Sequence, residues 1–588
     1  MEEELVGKNY LVTTSDLSTW PEEEYKIIFL GEWCKPFSKT KELSKLNSTT
    51  LKYHWDDRNK LHKDYLYIQS FSSKILNSLV AKLNQIHGVN YGINYWNLIV
   101  GFWVVNFIEM IFDRWESISI LDQKECFSII HSLDYDELIP PDSKSFADKM
   151  KFSDRYNSII YALIMNFKGN FKLINKKKGK EFKFWYKGDT NGFKNLYEKF
   201  LKKIYSLVFT YLSNDNSSVI LNSYLSLIDQ FALAIKLNTL PILGYSKQTS
   251  NFKPDPNFRN WKLDISCDSD FEEFISNQIP KMMPMIYLEG FKKVSNNFSG
   301  YKFPNSPKFI FNSVETYYDD HFKIYAANCK KNESKILTYQ HGGNYGTSKF
   351  DSIGDYQLSI SDIFFSWGWS SNNSKVIPLG YLNKMSKLKI NNRKNTEILI
   401  VTCSLPRYSN YIYSHPLSSL WLDYFEEQTQ FVKNLNESAR RNLKIRIYQH
   451  DYEREQISRW NNNFSNLKID NGLKQMRSLI SKTAIFISTY HGTTFYESIY
   501  LNIPTIIFWK PNHWELNEIS KEMFNKLKHI KVFHESPVSA ARHLNDIVNE
   551  PLEWWNKTEV KLVIKEFKNK YCKKTDINQM IKEIKEIK

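Results

Sequence analysis

The segment FISTYHGTTFYESIYLNIPTIIFW, residues 486–509, contains two apolar runs separated by a polar cluster and a helical pattern. A strand, a polar loop, a helix and a second strand in this order form one unit of a parallel α/β sheet. A structural turn needs only a few polar residues, yet this cluster is Ser, Thr, Tyr, His, Gly, Thr and Thr. Its length at the end of a strand therefore indicates a ligand site as well as a turn.

Similar strand candidates precede this segment. TEILIV and NLKIRIYQH precede it, and LVTT, YKIIFLGE, PKFIFNS, SKILTYQHGG, DIFFSWGW and VIPLGYL are further strand candidates nearer the N-terminus. The alternation predicts an α/β fold in two parts. We expect an N-terminal domain over 1–393 with helical insertions at about 60–300, a compact domain over 394–545, and a helical segment over 546–588.

Length and composition limit the classes of protein that fit this chain. Its 588 residues exceed a single hydrophobic core, and 42% hydrophobic content is ample for folding. The net charge of +15 suits phosphorylated ligands or an anionic membrane surface, although an AT-rich genome would also enrich lysine. No nucleic-acid-binding motif accompanies the charge, so we expect no nucleic acid partner. The six cysteines are far apart, which argues against a zinc or disulfide framework.

The most apolar window, residues 95–112, is a candidate membrane helix. It contains Asn97, Asn106 and Glu109, which are too polar for a comfortable membrane span. We therefore predict a buried helix there. The N-terminus lacks the apolar core of a signal peptide, and we expect a cytoplasmic protein, in peripheral contact with the membrane at most.

The polar cluster itself supplies the main candidates for ligand binding. Backbone N–H groups at the start of the following helix attract anions, and threonine hydroxyls add donors. A simpler alternative is an ordinary capping box, with Glu497 one turn into the helix. Under the ligand interpretation, the candidates are Ser488, His491, Gly492, Thr493, Thr494 and Glu497.

Two further strand ends carry histidine. His450 follows the strand in NLKIRIYQH, and His341 precedes a glycine-rich loop in TYQHGGNYG. A histidine at a strand end can contact a phosphate or transfer a proton. For His450 alone an ordinary loop histidine is the simpler explanation, and for the His341 stretch the alternative is a glycine-rich hairpin. The glycine spacing matches neither a Walker loop nor a dinucleotide-binding fingerprint.

The N-terminal part supplies candidates for a general base. Glu32 ends the strand in FLGEWC, and Asp16 and His341 compete with it for this role. A charge that caps the next helix explains Glu32 equally well. Arg407 and His415 follow the strand TEILIV and are weaker candidates for lining the same crevice.

Together these motifs resemble GT-B glycosyltransferases, which have two Rossmann-like domains separated by a deep cleft. YQHDYE and the 486–509 segment resemble the His-Pro and Ser/Thr-rich loops of bacterial enzymes that use CMP-sugars or CDP-glycerol, with Asp451 in place of the proline. LTYQHGGNYG resembles the His-Gly loop of their acceptor domain. The N-terminal strands are similar to a family of bacterial surface-polysaccharide transferases first recognised in leptospires.

The resemblance implies a metal-independent transferase that acts on a nucleotide-activated sugar and a glycan or lipid-linked acceptor. His450, Thr493 and Thr494 would hold the donor phosphate, and Glu497 the ribose or base. The favoured donor is a CMP-sugar of the Kdo or nonulosonate type, and no cofactor is expected. A CDP-polyol phosphotransferase and a non-catalytic nucleotide-binding scaffold are the alternatives.

Overall fold

A computed structural model provides the structure of the chain. It describes residues 9–21, 25–121, 126–131, 135–169, 171–176, 217–237, 252–296, 303–382, 385–388 and 396–586. Most of the basic segment around residues 173–188, expected to be a hairpin insertion, and much of the helical region expected at 190–240 lie outside these ranges. The strands form three parallel sheets, named here the first, second and third sheets.

The first sheet has the strand order β3-β2-β1-β4-β5, and all its pairs are parallel. Its strands are β1 Asn9–Val12, β2 Lys26–Phe29, β3 Ser48–Thr50, β4 Cys126–His131 and β5 Phe171–Lys176. Strand order reverses between β1 and β4, as in a Rossmann-like sheet. Strand β4 interrupts the region that the sequence pattern predicted as helical.

A helical layer packs with the first sheet. Its longest members are Arg58–His87 and Phe102–Ser119, which contact each other along their length. The remaining helices of this layer include Thr40–Leu43, Ile93–Trp96, Tyr135–Leu138, Ser143–Phe152, Asp154–Lys168, Asp270–Met282 and Phe291–Asn296. The stretch Ile93–Ser119 is long and apolar enough to cross a membrane, but 89% of its most apolar window is buried inside the protein. The prediction of a buried helix is thus confirmed.

The second sheet has the sequential order β10-β9-β8-β7-β6 and is also parallel. Its strands are β6 Val219–Leu221, β7 Phe309–Asn312, β8 Lys335–Tyr339, β9 Ile363–Ser366 and β10 Val376–Pro378. The helices between them are Leu227–Lys236, Glu315–Tyr318, Asp320–Lys331 and Ser352–Ile360. This sheet is a second one within the region 1–393, where the sequence pattern predicted one domain.

The third sheet has the order β13-β12-β11-β14-β15-β16, which is that of a dinucleotide-binding Rossmann sheet. Its strands are β11 Glu397–Val401, β12 Leu443–Arg446, β13 Lys468–Asp470, β14 Thr483–Ser488, β15 Thr505–Phe508 and β16 Phe533–His534. Its helices are Leu420–Lys433, Glu437–Arg441, Gln456–Asn463, Met476–Ile480, Thr493–Tyr500, Glu518–His529 and Pro537–Ile547. The predicted α/β fold with Rossmann-like parallel sheets is confirmed.

The C-terminal helices connect the third sheet back to the second. They are Pro551–Trp555, Thr558–Tyr571 and Ile577–Lys585. Between the last two, the Lys573 amide donates to the Trp367 carbonyl at 2.8 Å, and Tyr381 forms a parallel bridge with Lys574. The C-terminal segment, predicted as helical, therefore contacts the second sheet as well as following the third. The exact domain boundaries remain predictions.

Candidate functional site

In the third sheet β14 pairs with β11 on one side and β15 on the other, and the strand order reverses between β11 and β14. The junction between β14 and the helix Thr493–Tyr500 therefore lies at the topological switch point of the sheet. Gly492 is the N-cap of this helix and offers no side-chain oxygen to the first turn. A Cβ at Gly492 would lie 2.1 Å from the Tyr490 ring, so glycine is required by close packing. The first backbone N–H groups are therefore available to an anion.

The threonines of the first turn lie at the surface of this junction. Thr493 and Thr494 are half-buried, and the Thr494 hydroxyl lies 3.3 Å from the Tyr490 hydroxyl. The capping-box alternative does not hold, since the N-cap is Gly492 and Glu497 lies beyond the third helical position. The geometry therefore favours the ligand interpretation of the polar cluster.

Two of the residues predicted to bind the nucleotide-activated donor, Ser488 and His491, form hydrogen bonds with other protein groups in the structure. The Ser488 side chain is fully buried and donates to the Tyr490 carbonyl at 3.0 Å. His491 is 3% exposed, and its Nε2 lies 3.0 Å from the hydroxyls of both Thr347 and Tyr496. Burial lowers the pKa of His491 to about 3. His491 is thus uncharged at neutral pH and contacts two protein hydroxyls, and its predicted contact with the donor stays a prediction.

Glu497 also has a structural partner. Its carboxylate is buried and accepts a hydrogen bond from the Tyr381 hydroxyl at 3.0 Å. Tyr381 follows the last strand of the second sheet. The interaction therefore joins the second and third sheets, and the predicted ribose contact would have to share this carboxylate.

His341 lies at the carboxyl end of β8, in the second sheet. Its ring stacks between Tyr224 and Tyr317, with centroid distances of 5.9 and 5.8 Å. The Tyr317 hydroxyl lies 3.2 Å from His341 Nε2. Burial lowers the pKa of His341 to about 4, so its imidazole is uncharged at neutral pH. An uncharged imidazole can accept a proton.

The loop after His341 reaches the donor-side junction. A Cβ at Gly343 would lie 2.5 Å from the Tyr496 ring and 3.0 Å from the backbone of Gly492. This spacing brings the glycine-rich loop of the second sheet into direct contact with the polar cluster of the third. The loop that follows His341 therefore lies against Gly492 and the start of the Thr493 helix, where the carboxyl edges of the second and third sheets face each other.

His450 is half-buried in the loop after β12. Burial and the nearby Lys151 ammonium both lower its pKa. The adjacent Asp451 accepts from the amides of Glu455 and Gln456 at 2.7 and 2.9 Å. Asp451 thus caps the next helix and leaves the histidine at the strand end.

Asp16 and Glu32 lie at the carboxyl edge of the first sheet. Asp16 caps a short 3₁₀ turn by accepting from the Ser18 amide at 2.9 Å, and Glu32 forms an ion pair with Lys35 at 2.7 Å. Neither residue shares a described hydrogen bond with the His341 loop. Of the three predicted bases, only His341 is therefore placed beside the Thr493 helix by the contacts in the described part of the chain.

The loop after β11 anchors the third sheet to the first. Arg407 donates to the Ser15 hydroxyl at 2.6 Å and to the Trp33 carbonyl at 2.8 Å, and pairs with Asp154 at 3.2 Å. His415 is fully covered, and burial lowers its pKa to about 3. Both weaker candidates are thus structural.

Sequence reasoning missed a group of tyrosines around the facing edges. They follow β6, β7, β11 and β12, and comprise Tyr224, Tyr317, Tyr318, Tyr411, Tyr448 and Tyr452. Their clustering in short stretches such as VETYYDD and RYSNYIYSH was the available signal. With Lys151 and Asn106, Tyr317, Tyr318 and Tyr411 line a narrow slot of about 10 Å³.

A larger cavity of about 600 Å³ lies elsewhere. Its lining includes Phe309 and Lys335, which begin β7 and β8. It therefore opens at the amino ends of these strands, whereas ligands of parallel sheets bind at the carboxyl ends. We assign the candidate site to the facing carboxyl edges despite its smaller volume.

One group of side chains in the described ranges has the spacing of a metal site. It consists of Asp423, Glu427 and His513. The two ring nitrogens of His513 face different carboxylates, at 3.1 Å from Asp423 and 3.1 Å from Glu427, and Lys510 Nζ lies 2.6 Å from Asp423. An imidazolium between two carboxylates explains this arrangement, because a metal ligand would aim one nitrogen at a shared centre.

The sheets and their facing loops define a parallel α/β protein with two Rossmann-like sheets. The profile of the LIC12162 family transferases matches residues 9–587, and the chain belongs to this family. This confirms the predicted family and the assignment as a transferase. No curated protein matches the chain significantly.

The crystal structure of Acinetobacter baumannii MurG is similar to this chain over 63% of the chain and 99% of MurG, at 10% identity and a TM-score of 0.31. At this score the similarity does not define the fold, which rests on the strand orders described above.

Proposed function

We propose that the protein is a GT-B glycosyltransferase that moves a sugar from a nucleotide-activated donor to a surface-glycan or lipid-linked acceptor. The main support is the helix Thr493–Tyr500, which begins at a Rossmann switch point with glycine as its N-cap. Fixed N–H donors there would stabilise the charge that grows on the leaving phosphate. Membership of a transferase family agrees with this chemistry.

The second sheet would present the acceptor. The Tyr224 ring stacks on His341 and is 50% exposed, so it offers a flat face on which a sugar ring can pack, whereas Tyr317, which also stacks on His341, is buried. We propose His341 as the base that removes the proton from the acceptor hydroxyl. The contact of its loop with Gly492 supports this role over Asp16 and Glu32.

The favoured donor is a CMP-sugar, on the resemblance of the His450 and Ser/Thr-rich loops. We expect no metal or organic cofactor, because the helix start and nearby cations would neutralise the leaving group. The setting would be the cytoplasm, where the basic chain could contact the anionic inner face of the membrane.

A thermal-shift screen with CMP-, CDP-, UDP- and GDP-linked sugars tests the function. A ligand at about 100 times its dissociation constant adds roughly 2.7 kcal/mol to the free energy of unfolding. Stabilisation by one class, followed by sugar transfer, is the expected result. Response to CDP-polyols with polyol-phosphate transfer would indicate the phosphotransferase, binding without turnover a scaffold, and no response to any class would contradict the proposal.

A further inference from the structure

Lys151 stands out because it is a lysine buried at the boundary between sheets. It lies near the end of the helix Ser143–Phe152, in the layer on the first sheet, and its side chain is 13% exposed. Its neighbour Phe152 stacks on Tyr452 of the third sheet, with ring centroids 5.4 Å apart and an interplanar angle of 9°. This contact holds Lys151 against the loop that carries His450.

The surroundings of Lys151 combine aromatic walls with positive charge. Its side chain lines the narrow slot together with Tyr317, Tyr318 and Tyr411. The Phe152–Tyr452 stack brings this lysine near the His450 loop, and the Lys151 ammonium adds to burial in lowering the pKa of His450. A cation from the first-sheet layer and a histidine of the third sheet therefore lie near each other at the carboxyl edges.

The charge of Lys151 is only partly compensated. Its ammonium pairs with Asp148 at 3.2 Å, but Asp148 also pairs with Lys144. One carboxylate thus serves two ammonium groups. Burial lowers the pKa of Lys151, which is the cost of holding a cation where water is scarce. An anionic ligand would relieve this imbalance.

We propose that Lys151 is a ligand-binding residue, reaching from the first-sheet layer to hold a phosphate oxygen of the nucleotide at the His450 loop. This inference rests on the proposed function and goes beyond it, since it assigns a donor contact outside the nucleotide-binding third sheet. The bound phosphate would then contact both the first-sheet layer and the third sheet. Donor binding would therefore favour the conformation in which these two parts lie close together.

Nucleotide binding by three variants of the full-length protein tests the inference. Lys151→Met removes the charge at similar volume, Lys151→Arg keeps it, and Lys144→Met is the matched control on the same helix with the same partner, Asp148. Isothermal titration with CMP, CDP, UDP and GDP would measure the dissociation constants. Titrations at two salt concentrations would report the charge contribution.

For the nucleotide that binds the wild type, we expect Lys151→Met to raise the dissociation constant about 10-fold and to flatten its salt dependence. Lys151→Arg and Lys144→Met should stay within about twofold of wild type. Equal binding by wild type and Lys151→Met would overturn this inference and leave the proposed function standing. If no nucleotide binds the wild type, the proposed function fails, and this inference fails with it.

Discussion

The Thr347 hydroxyl lies 3.0 Å from Nε2 of His491 and thereby joins the glycine-rich loop of the second sheet to the polar cluster of the third. The same hydroxyl lies 3.3 Å from Tyr496. Nearby, the Asn517 amide donates to the Thr347 carbonyl at 2.9 Å. These hydrogen bonds form a seam between the second and third sheets, and the candidate site lies beside this seam. The shape of the site therefore depends on both sheets.

Gly343→Ala should disturb this seam. The new methyl group would lie 2.5 Å from the Tyr496 ring and 3.0 Å from the Gly492 backbone, and backbone cannot move aside cheaply. We expect a loss of about 1–3 kcal/mol in the free energy of unfolding, measured by urea denaturation. Gly92→Ala is the control, since a Cβ there meets no atom within 4 Å. Equal stability of both variants would contradict the close contact.

Replacement of Thr493 and Thr494 by alanine should weaken nucleotide binding without unfolding the protein. Both residues are half-buried at a helix start that has no side-chain cap, and a phosphate there would contact the Thr493 hydroxyl and replace the 3.3 Å contact between the Thr494 and Tyr490 hydroxyls. We expect a 5- to 100-fold higher dissociation constant, in line with about 1–3 kcal/mol for hydrogen bonds to a charged group. Thr558→Ala, at the exposed start of the helix Thr558–Tyr571, is the matched control. Unchanged affinity in the double variant would place the phosphate elsewhere.

The protein should lose stability as the pH falls below about 6.5. In six histidines burial lowers the pKa far below 6.5, to about 4 for His87, His341 and His534 and to about 3 for His415, His491 and His543. Between these values and 6.5, the unfolded chain binds protons that the folded chain does not. Stability therefore rises with pH across this window, by about 1.4 kcal/mol per pH unit for each fully titrating group.

Urea denaturation at several pH values between 7.5 and 5 would measure this slope. His543→Leu removes one of the six groups, and the slope should fall by about 1.4 kcal/mol per pH unit below 6.5. An unchanged slope would show that His543 is not held neutral in the folded protein.

Arg407→Met should destabilise the junction between the first and third sheets. Burial opposes the charge of Arg407, but the nearby Asp154 raises the pKa of its guanidinium above the ordinary value. Removing one partner of a buried pair costs about 3–5 kcal/mol, because the other charge stays buried. The double variant Arg407→Met/Asp154→Asn should lose less than the sum of the single variants.

The exposed pair Arg441–Glu437 supplies the control for this cycle. Its side chains are 73% and 88% exposed, so Arg441→Met should change stability by less than about 1 kcal/mol. Strict additivity at Arg407 and Asp154 would refute their coupling.

Chelation should leave the melting temperature unchanged. Burial alone would lower the pKa of His513, but the hydrogen bonds that its ring donates to Asp423 and Glu427 raise it, which fits an imidazolium. A fall in melting temperature with EDTA, restored by a divalent cation, would instead identify these residues as a metal site. His513→Gln gives an independent check. A histidine whose pKa is raised in the folded protein adds its full contribution to the free energy of unfolding below pH 6.5, and this contribution is lost as the pH rises through the folded pKa. The variant should therefore lose more stability at pH 6 than at pH 9.

The sequence by itself determined the local units of this protein. Apolar runs ending in polar residues predicted β1, β2, β8, β11, β12 and β14, because a buried parallel strand must be apolar and its end must meet solvent or ligand. The same pattern located Gly492 and Thr493, because the anion-binding properties of a helix start are local.

Only the tertiary structure decided which of these strand ends meet. The separation of the second sheet from the first, the burial of His491 beside Thr347, and the approach of Lys151 to His450 depend on contacts between residues far apart in the chain. A histidine before a glycine looks the same in sequence whether its ring faces a ligand or the interior. The burial and the electrostatic environment of a side chain depend on residues from other strands, helices and loops. The sequence of one strand or loop therefore does not indicate them.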